Sequence, residues 1–326
     1  MLEHGGNLAN AATQYGIPQA AWLDLSTGIN PNGYPIPPIP PAFWQHLPSA
    51  EDGLVVAASA YYGSRFALPT SGSQAAIQVL PALRAPCRVA ILIPMYQEHA
   101  HAWRRGGHEV NVFSEKPDTA LLEQTDVLIL CNPNNPTAAR FQSADLLHWH
   151  KQLAKRGGWL VVDEAFMDAS PEASIAQYSH LDGLFVLRSL GKFFGLAGAR
   201  VGFLLAAEEA LHAMQAQLGP WPLNGAARFI AKQALMDSAW QQQNRIQLVR
   251  GSQRLAALLS QYDLAPQAGT ALFQWVPTRK ASAWHTHLAQ QGIWVRLFTE
   301  FSALRFGLPP EDGWHRLEAA LKSFSD

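Results

Sequence analysis

A chain of 326 residues with 48% hydrophobic and 10% aromatic side chains has ample material for a sizeable core, and its length allows two domains. Lysine and arginine total 24 against 25 aspartate and glutamate, a net charge of −1 with no long run of one sign, so neither a nucleic-acid groove nor a polybasic membrane patch is indicated. Cys87 and Cys131 stand in no metal or redox spacing, no apolar run reaches membrane-spanning length, and the opening MLEHGGNLANAATQYG lacks a signal-peptide pattern, so a soluble, cytoplasmic protein is expected.

Residues 1–45 read as an arm. A short helix ends near Tyr15, and then comes the loop DLSTGINPNGYPIPPIPP, where the prolines from Pro31 to Pro41 remove backbone donors and favour extended chain. The close spacing of Gly28, Asn30, Asn32 and Gly33 fits either a plain linker or a loop with a task. Residues 46–224 alternate apolar, β-rich runs with helical segments, the pattern of an α/β domain whose sheet is covered on both faces. The predicted strands are 88–94, 109–113, 127–131, 159–163, 184–189 and 201–206. From 225 to 326 a long helical stretch to Tyr262, short runs at 271–276, 293–298 and 303–308, and helices at 283–291 and 314–324 predict a smaller α+β domain.

Polar or glycine-rich residues follow most of the strands, and in open sheets ligands gather beyond the strands' carboxyl ends. TSGSQ (Thr70–Gln74) sets a small polar turn before a helix, a ready phosphate cradle. Asp163 closes the run WLVVD, as a helix cap or as a functional carboxylate. In SLGKFFGLAGARVG, Lys192 lies among Phe193, Phe194 and Leu196. Either its stem extends over the surface and keeps the charge wet, or its ammonium loses hydration, its pKa falls and its amine becomes a nucleophile. Arg200 adds a fork of donors suited to phosphate, and Ser189 adds a hydroxyl. Arg305, inside the apolar ALRFGLP, needs a partner that a bound anion would supply. The pairs His99/His101, His148/His150 and His285/His287 would point about 200° apart on a helix and have no third ligand nearby in sequence, so no metal is expected.

Ser-x-x-Lys at 189–192, followed by Leu-Ala-Gly-x-Arg-x-Gly at 196–202, resembles the cofactor-lysine motif of the fold-type I pyridoxal 5′-phosphate (PLP) enzymes, the aspartate aminotransferase superfamily. That resemblance implies an α/β fold with a large, mostly parallel sheet between helices (46–224) and a smaller α+β C-terminal domain (225–326) joined by the arm (1–45). It also implies PLP as a Schiff base on Lys192. Asp163 would pair with the pyridine nitrogen, Asn135 of NPNNPT would bond the phenolic oxygen, and Tyr96 of PMY would stack on the ring. Gly72, Ser73, Gln74, Ser189 and Arg200 would hold the phosphate. Arg305 would grip the substrate's anionic group, with Arg296 of GIWVRLF either a second grip or a surface salt bridge. Ala138 stands after Thr137 where the family usually has glycine.

Three further segments, HGGN (His4–Asn7), WLDLSTGINPNGYP (Trp22–Pro35) and YQEHAHAWRRGGHEV (Tyr96–Val110), are similar to the threonine-phosphate decarboxylase family of cobalamin biosynthesis, a close relative of the histidinol-phosphate aminotransferases. Phe166 stands where many aminotransferases have a tyrosine. The resemblance implies conversion of L-threonine O-3-phosphate to (R)-1-amino-2-propanol O-2-phosphate and CO₂. In it Arg296 and Arg305 hold the phosphate, with Asn135 and the arm residues His4, Gly28 and Asn30 at the substrate. The alternatives are an aminotransferase and a PLP-fold module that binds without turnover. Relatives often carry Arg-Tyr-Pro-Asp, whose tyrosine reaches the neighbouring subunit's cofactor phosphate; here the segment is His46-Leu47-Pro48-Ser49, and Leu47 cannot make that bond. A homodimer with sites at the interface is expected.

Overall fold

The computed structural model describes residues 5–324, so the expected substrate residue His4 lies outside the described residues. The chain forms two compact units. One holds Tyr34–Asn135 and Ala139–Gln241; the other holds the described residues up to Gly33, Pro136–Ala138 and those from Gln242 on. Among the described residues no helix is long and apolar enough to cross a membrane.

The larger unit is built on seven strands: β1 (Leu68–Ser71), β2 (Arg88–Leu92), β3 (Glu109–Phe113), β4 (Val127–Cys131), β5 (Trp159–Asp163), β6 (Leu184–Ser189) and β7 (Val201–Leu205). They lie in the order β1-β7-β6-β5-β4-β2-β3, and β7 alone runs antiparallel to its neighbours. Val127–Leu130 and Leu160–Val162 have no exposed surface, because helices cover both faces, and this is why they read as unbroken apolar runs. β1 is absent from the predicted strands: LPTS is short and holds a proline, which an edge strand tolerates. The carboxyl ends of β1, β2, β4, β5 and β6 share one edge of the sheet. Since β7 runs the other way, its start lies on that edge too. Helix α1 (Gly72–Val79) leaves β1 there, and α2 (Glu98–Arg105) follows the loop after β2.

The two compact units divide near 33/34 and 241/242, whereas the sequence pattern places the domain limits at 45/46 and 224/225. Tyr34 belongs to the larger unit because its N–H donates to the Phe194 carbonyl at 2.8 Å, and Phe43 packs 4.6 Å from Phe229. The long helical stretch is two helices, α3 (Gly225–Met236) and α4 (Ser238–Ser260). α3 is held to the larger unit by Arg228, which makes two 2.7 Å hydrogen bonds to Asp52, and by Lys232, which donates to the Asp52 carbonyl at 2.8 Å.

In the smaller unit β8 (Phe273–Pro277), β9 (Arg296–Phe298) and β10 (Ala303–Gly307) form an antiparallel sheet in the order β9-β10-β8, with Ala268–Gly269 beyond β8. The predicted run 293–298 divides at Val295: Ile293–Trp294 pairs instead with Leu23–Asp24. The helix Leu8–Tyr15 closes this unit by burying Ala11 against Trp22 and Ala289.

Candidate active site

The cofactor-site residues named from the sequence meet at the shared sheet edge. Gly72, Ser73, Gln74, Tyr96, Asn135, Asp163, Ser189, Lys192 and Arg200 all line one cavity in the larger unit.

One wall is a cup formed where two strand ends and a helix start meet. Pairing of Thr70 with Gly202 and of Ser71 with Val201 lays the end of β1 beside the start of β7, and Ser189 faces Gly202 from the other side. α1 begins here, so its first amides lack helical acceptors and point into the cup. Two glycines are required by close approach. A Cβ on Gly72, whose φ is +71°, would stand 2.7 Å from Arg200 Nη2, and one on Gly202 would run into the backbone of Gly72 and Ser73. Arg200 itself is exposed and takes a left-handed φ of 53°, with Nη1 donating to the Ala197 carbonyl at 3.2 Å.

Opposite charge stands at the end of β5. Asp163 is buried, its Oδ2 accepting from His99 Nε2 at 3.0 Å and its Oδ1 from the Ala165 amide at 3.0 Å. Sequence reasoning missed His99 as a functional residue, weighing it only as half of a metal pair; its signal was its place in the first turn of α2, three residues after Tyr96. His99, Cys131 and Asp163 carry metal-type atoms within 4.8 Å of one another. However, His99 is engaged by the carboxylate, and burial followed by the Asp163 charge pushes the Cys131 thiol well above its usual range, so it stays protonated. On the opposite sheet face the next residues along, Glu164 and Arg188, pair at 2.6 Å, and Arg188 also reaches Asp168 at 2.5 Å. That pairing fixes the strand ends that carry Asp163 and Ser189.

The three asparagines of NPNNPT divide the work. Asn132 accepts from and donates to the Phe141 backbone at 3.0 and 3.1 Å, and Asn134 Nδ2 donates to the Pro94 carbonyl at 2.8 Å. Asn135 lines the cavity. Ala138 has φ 59°, the left-handed region, which gives the physical reason for glycine at that place.

Lys192 is half-buried. Phe193 and Phe194 beside it are fully buried, and its Nζ lies 5.5 Å from the centre of the Phe166 ring, a hydrocarbon face without a hydroxyl. Tyr96 donates to Gln74 Oε1 at 3.0 Å; burial, then the charges of Glu98 and Asp163, raise its phenol and keep it neutral. The Gln74 side chain is thus engaged by Tyr96, and its place in the cup rests on its backbone amide.

In the smaller unit, Arg296 and Arg305 are direct cross-strand partners on β9 and β10. Arg305 is buried, its Nη2 donates to the Ser26 carbonyl, and burial together with the Arg296 charge lowers its guanidinium to about 10, still cationic at neutral pH. Two like charges directly opposite destabilise a sheet unless an anion joins them. Gly28 turns the arm with φ +64°. Asn30 is buried, its Nδ2 donating to Asn244 Oδ1 at 3.1 Å and its Oδ1 accepting from the Asn32 amide at 2.9 Å, so its amide holds the loop in shape.

Comparison with known proteins identifies the chain's relatives. The family model for "Aminotransferase class I and II" matches residues 56–323. A threonine-phosphate decarboxylase of Pseudomonas aeruginosa is 51% identical, covering 100% of this chain and 99% of its own, and one from a Sinorhizobium species is 39% identical over 98% and 97%. The crystal structure of L-threonine-O-3-phosphate decarboxylase from Porphyromonas gingivalis superposes with a TM-score of 0.77 over 92% of this chain and 98% of its own, at 21% identity.

Proposed function

The chain belongs to the class I and II aminotransferase family, and from that premise we propose that it is a PLP-dependent lyase that decarboxylates L-threonine O-3-phosphate to 1-amino-2-propanol O-2-phosphate, a step of cobalamin biosynthesis. The observation that carries the reading is the end-to-end likeness to the Pseudomonas enzyme.

The cavity fits the cofactor. Glycines at 72 and 202 keep Cβ atoms out of a cup lined by helix amides, hydroxyls and a guanidinium, the donor types a phosphate takes, and a buried, doubly hydrogen-bonded carboxylate lines the same cavity. When bound, PLP supplies an aldehyde that condenses with amines and a protonated ring that draws electrons from the bond being broken. Asp163 would hold the ring nitrogen's proton. At about 4 Å and an effective dielectric near 20, such a pair is worth roughly 4 kcal/mol. Lys192 would hold the aldehyde carbon and later move protons. Asn135 would bond the ring oxygen, and Tyr96 would cover the ring face.

Which substrate bond breaks depends on the groups that orient the substrate. Arg305 and Arg296 would take the phosphate, an anion that their mutual repulsion favours. With the phosphate held by the arginines, the substrate's carboxylate would be without that clamp and available as the group that leaves. Gly28, Asn30 and His4 would contact the substrate. We assign the enzyme to the cytoplasm as a homodimer, consistent with two free thiols and with exposed apolar side chains on the larger unit.

Incubation of the PLP-loaded protein with L-threonine O-3-phosphate is expected to release one CO₂ per substrate without any keto acid. A strict requirement for 2-oxoglutarate, with formation of glutamate, would instead establish an aminotransferase.

A further inference from the structure

Between α1 and α2 runs a chain of side-chain hydrogen bonds. Tyr96 donates to Gln74 Oε1 at 3.0 Å, and Gln74 Nε2 donates to Glu98 Oε2 at 2.8 Å. Gln78 Nε2 donates to the same carboxylate oxygen at 2.9 Å, while Arg105 Nη2 donates to Gln78 Oε1. The spacing explains the alignment: Gln74 and Gln78 are one helical turn apart on α1, and Glu98 and Arg105 are two turns apart on α2.

The ends of this chain determine its direction. An ionised carboxylate only accepts and a guanidinium only donates, so each glutamine must turn its amide nitrogen toward Glu98 and its oxygen away. The Tyr96 hydroxyl then meets an oxygen and must give its proton to it. Toward the cavity, Tyr96 keeps only a ring face and lone pairs.

We propose that Glu98 is a positioning residue for the cofactor ring: acting through the Gln74 amide, it fixes both the ring plane of Tyr96 and the direction of its hydroxyl proton. The inference rests on the PLP reading of the cavity. Its chemical consequence is that Tyr96 is withheld as a proton donor toward the cavity.

The test is a comparison of cofactor binding in two backgrounds. Apo-protein is titrated with PLP and the dissociation constant is read from the visible absorbance, with the band position recorded. Glu98→Gln lets the Gln74 amide rotate and should weaken PLP binding about five-fold, the size of one ordinary hydrogen bond, with a shifted band. In a Tyr96→Phe protein, which has no hydroxyl to direct, Glu98→Gln should change neither quantity. Equal weakening in both backgrounds, or wild-type binding in the single variant, overturns the proposal. Glu98→Ala gives the same comparison if the glutamine variant does not fold. Failure of the wild-type apo-protein to take up PLP at all would overturn the cofactor reading, and this inference with it.

Discussion

Arg296 faces Arg305 directly across β9 and β10, and the two readings of Arg296 give opposite signs when it is replaced. If the pair exists to bind substrate phosphate, Arg296→Gln relieves like-charge repulsion and raises stability by about 0.2–1 kcal/mol, seen as a higher Tm in substrate-free protein. The same change removes a charged hydrogen bond to the substrate and should raise KM for threonine phosphate at least about ten-fold. A fall in Tm with unchanged KM would mean that Arg296 is a structural salt-bridge partner. Lys192 and Arg305 stand out in the sequence because a cation inside an apolar run demands an explanation. His99 does not, since its partner Asp163 lies on another strand 64 residues away and only folding brings them to 3.0 Å. Asn30 was legible as polar and crowded, but its bond to Asn244 depends on a helix more than two hundred residues on.

The strands β2 to β7 were readable to within two residues because a sheet covered on both faces needs continuous apolar runs, and such runs have few other uses. α3 was readable as a helix but not as part of the larger unit. Besides its buried apolar face, the pair between Arg228 and Asp52 ties it there, and no local pattern announces that pair. Burial pushes the Asp52 carboxyl up, but the Arg228 hydrogen bonds, the Leu54 amide and the charges of Arg228 and Lys232 outweigh it and hold it below 3.8. The unfolded chain therefore takes up this proton first as pH falls. The pair's contribution is fully present above about pH 4 and is lost as pH drops through the folded value. Asp52→Asn should accordingly lower Tm at neutral pH and flatten the decline of Tm between about pH 5 and pH 3. An unchanged acid slope would show that the pair contributes nothing.

At the scale of the molecule, the larger unit exposes Ile36, Trp44, Leu47, Val56 and Trp221, each more than half accessible. Single exposed apolar residues are ordinary, but a tryptophan, an isoleucine, a leucine and a valine within residues 36–56 are a heavy load for one stretch of surface. A groove lined by Pro48, Val55, Phe66, Leu218 and Trp221 takes in part of the same segments. A second copy of this chain is the occupant expected from the family resemblance, and Leu47 fits that use: it cannot donate to a neighbour's phosphate, but it can be buried against a neighbour's side chains. Sedimentation velocity should give a dimer for the wild type, and Trp44→Glu combined with Val56→Glu should give a monomer, because two carboxylates without partners would have to lose their water to remain in the contact. PLP affinity provides the second readout. It falls with the dimer if the partner completes the cofactor site and stays constant if the cup formed by Gly72, Ser73, Ser189 and Arg200 suffices. A wild type that sediments as a monomer at micromolar concentration, with PLP bound, would remove the dimer from the proposed mechanism.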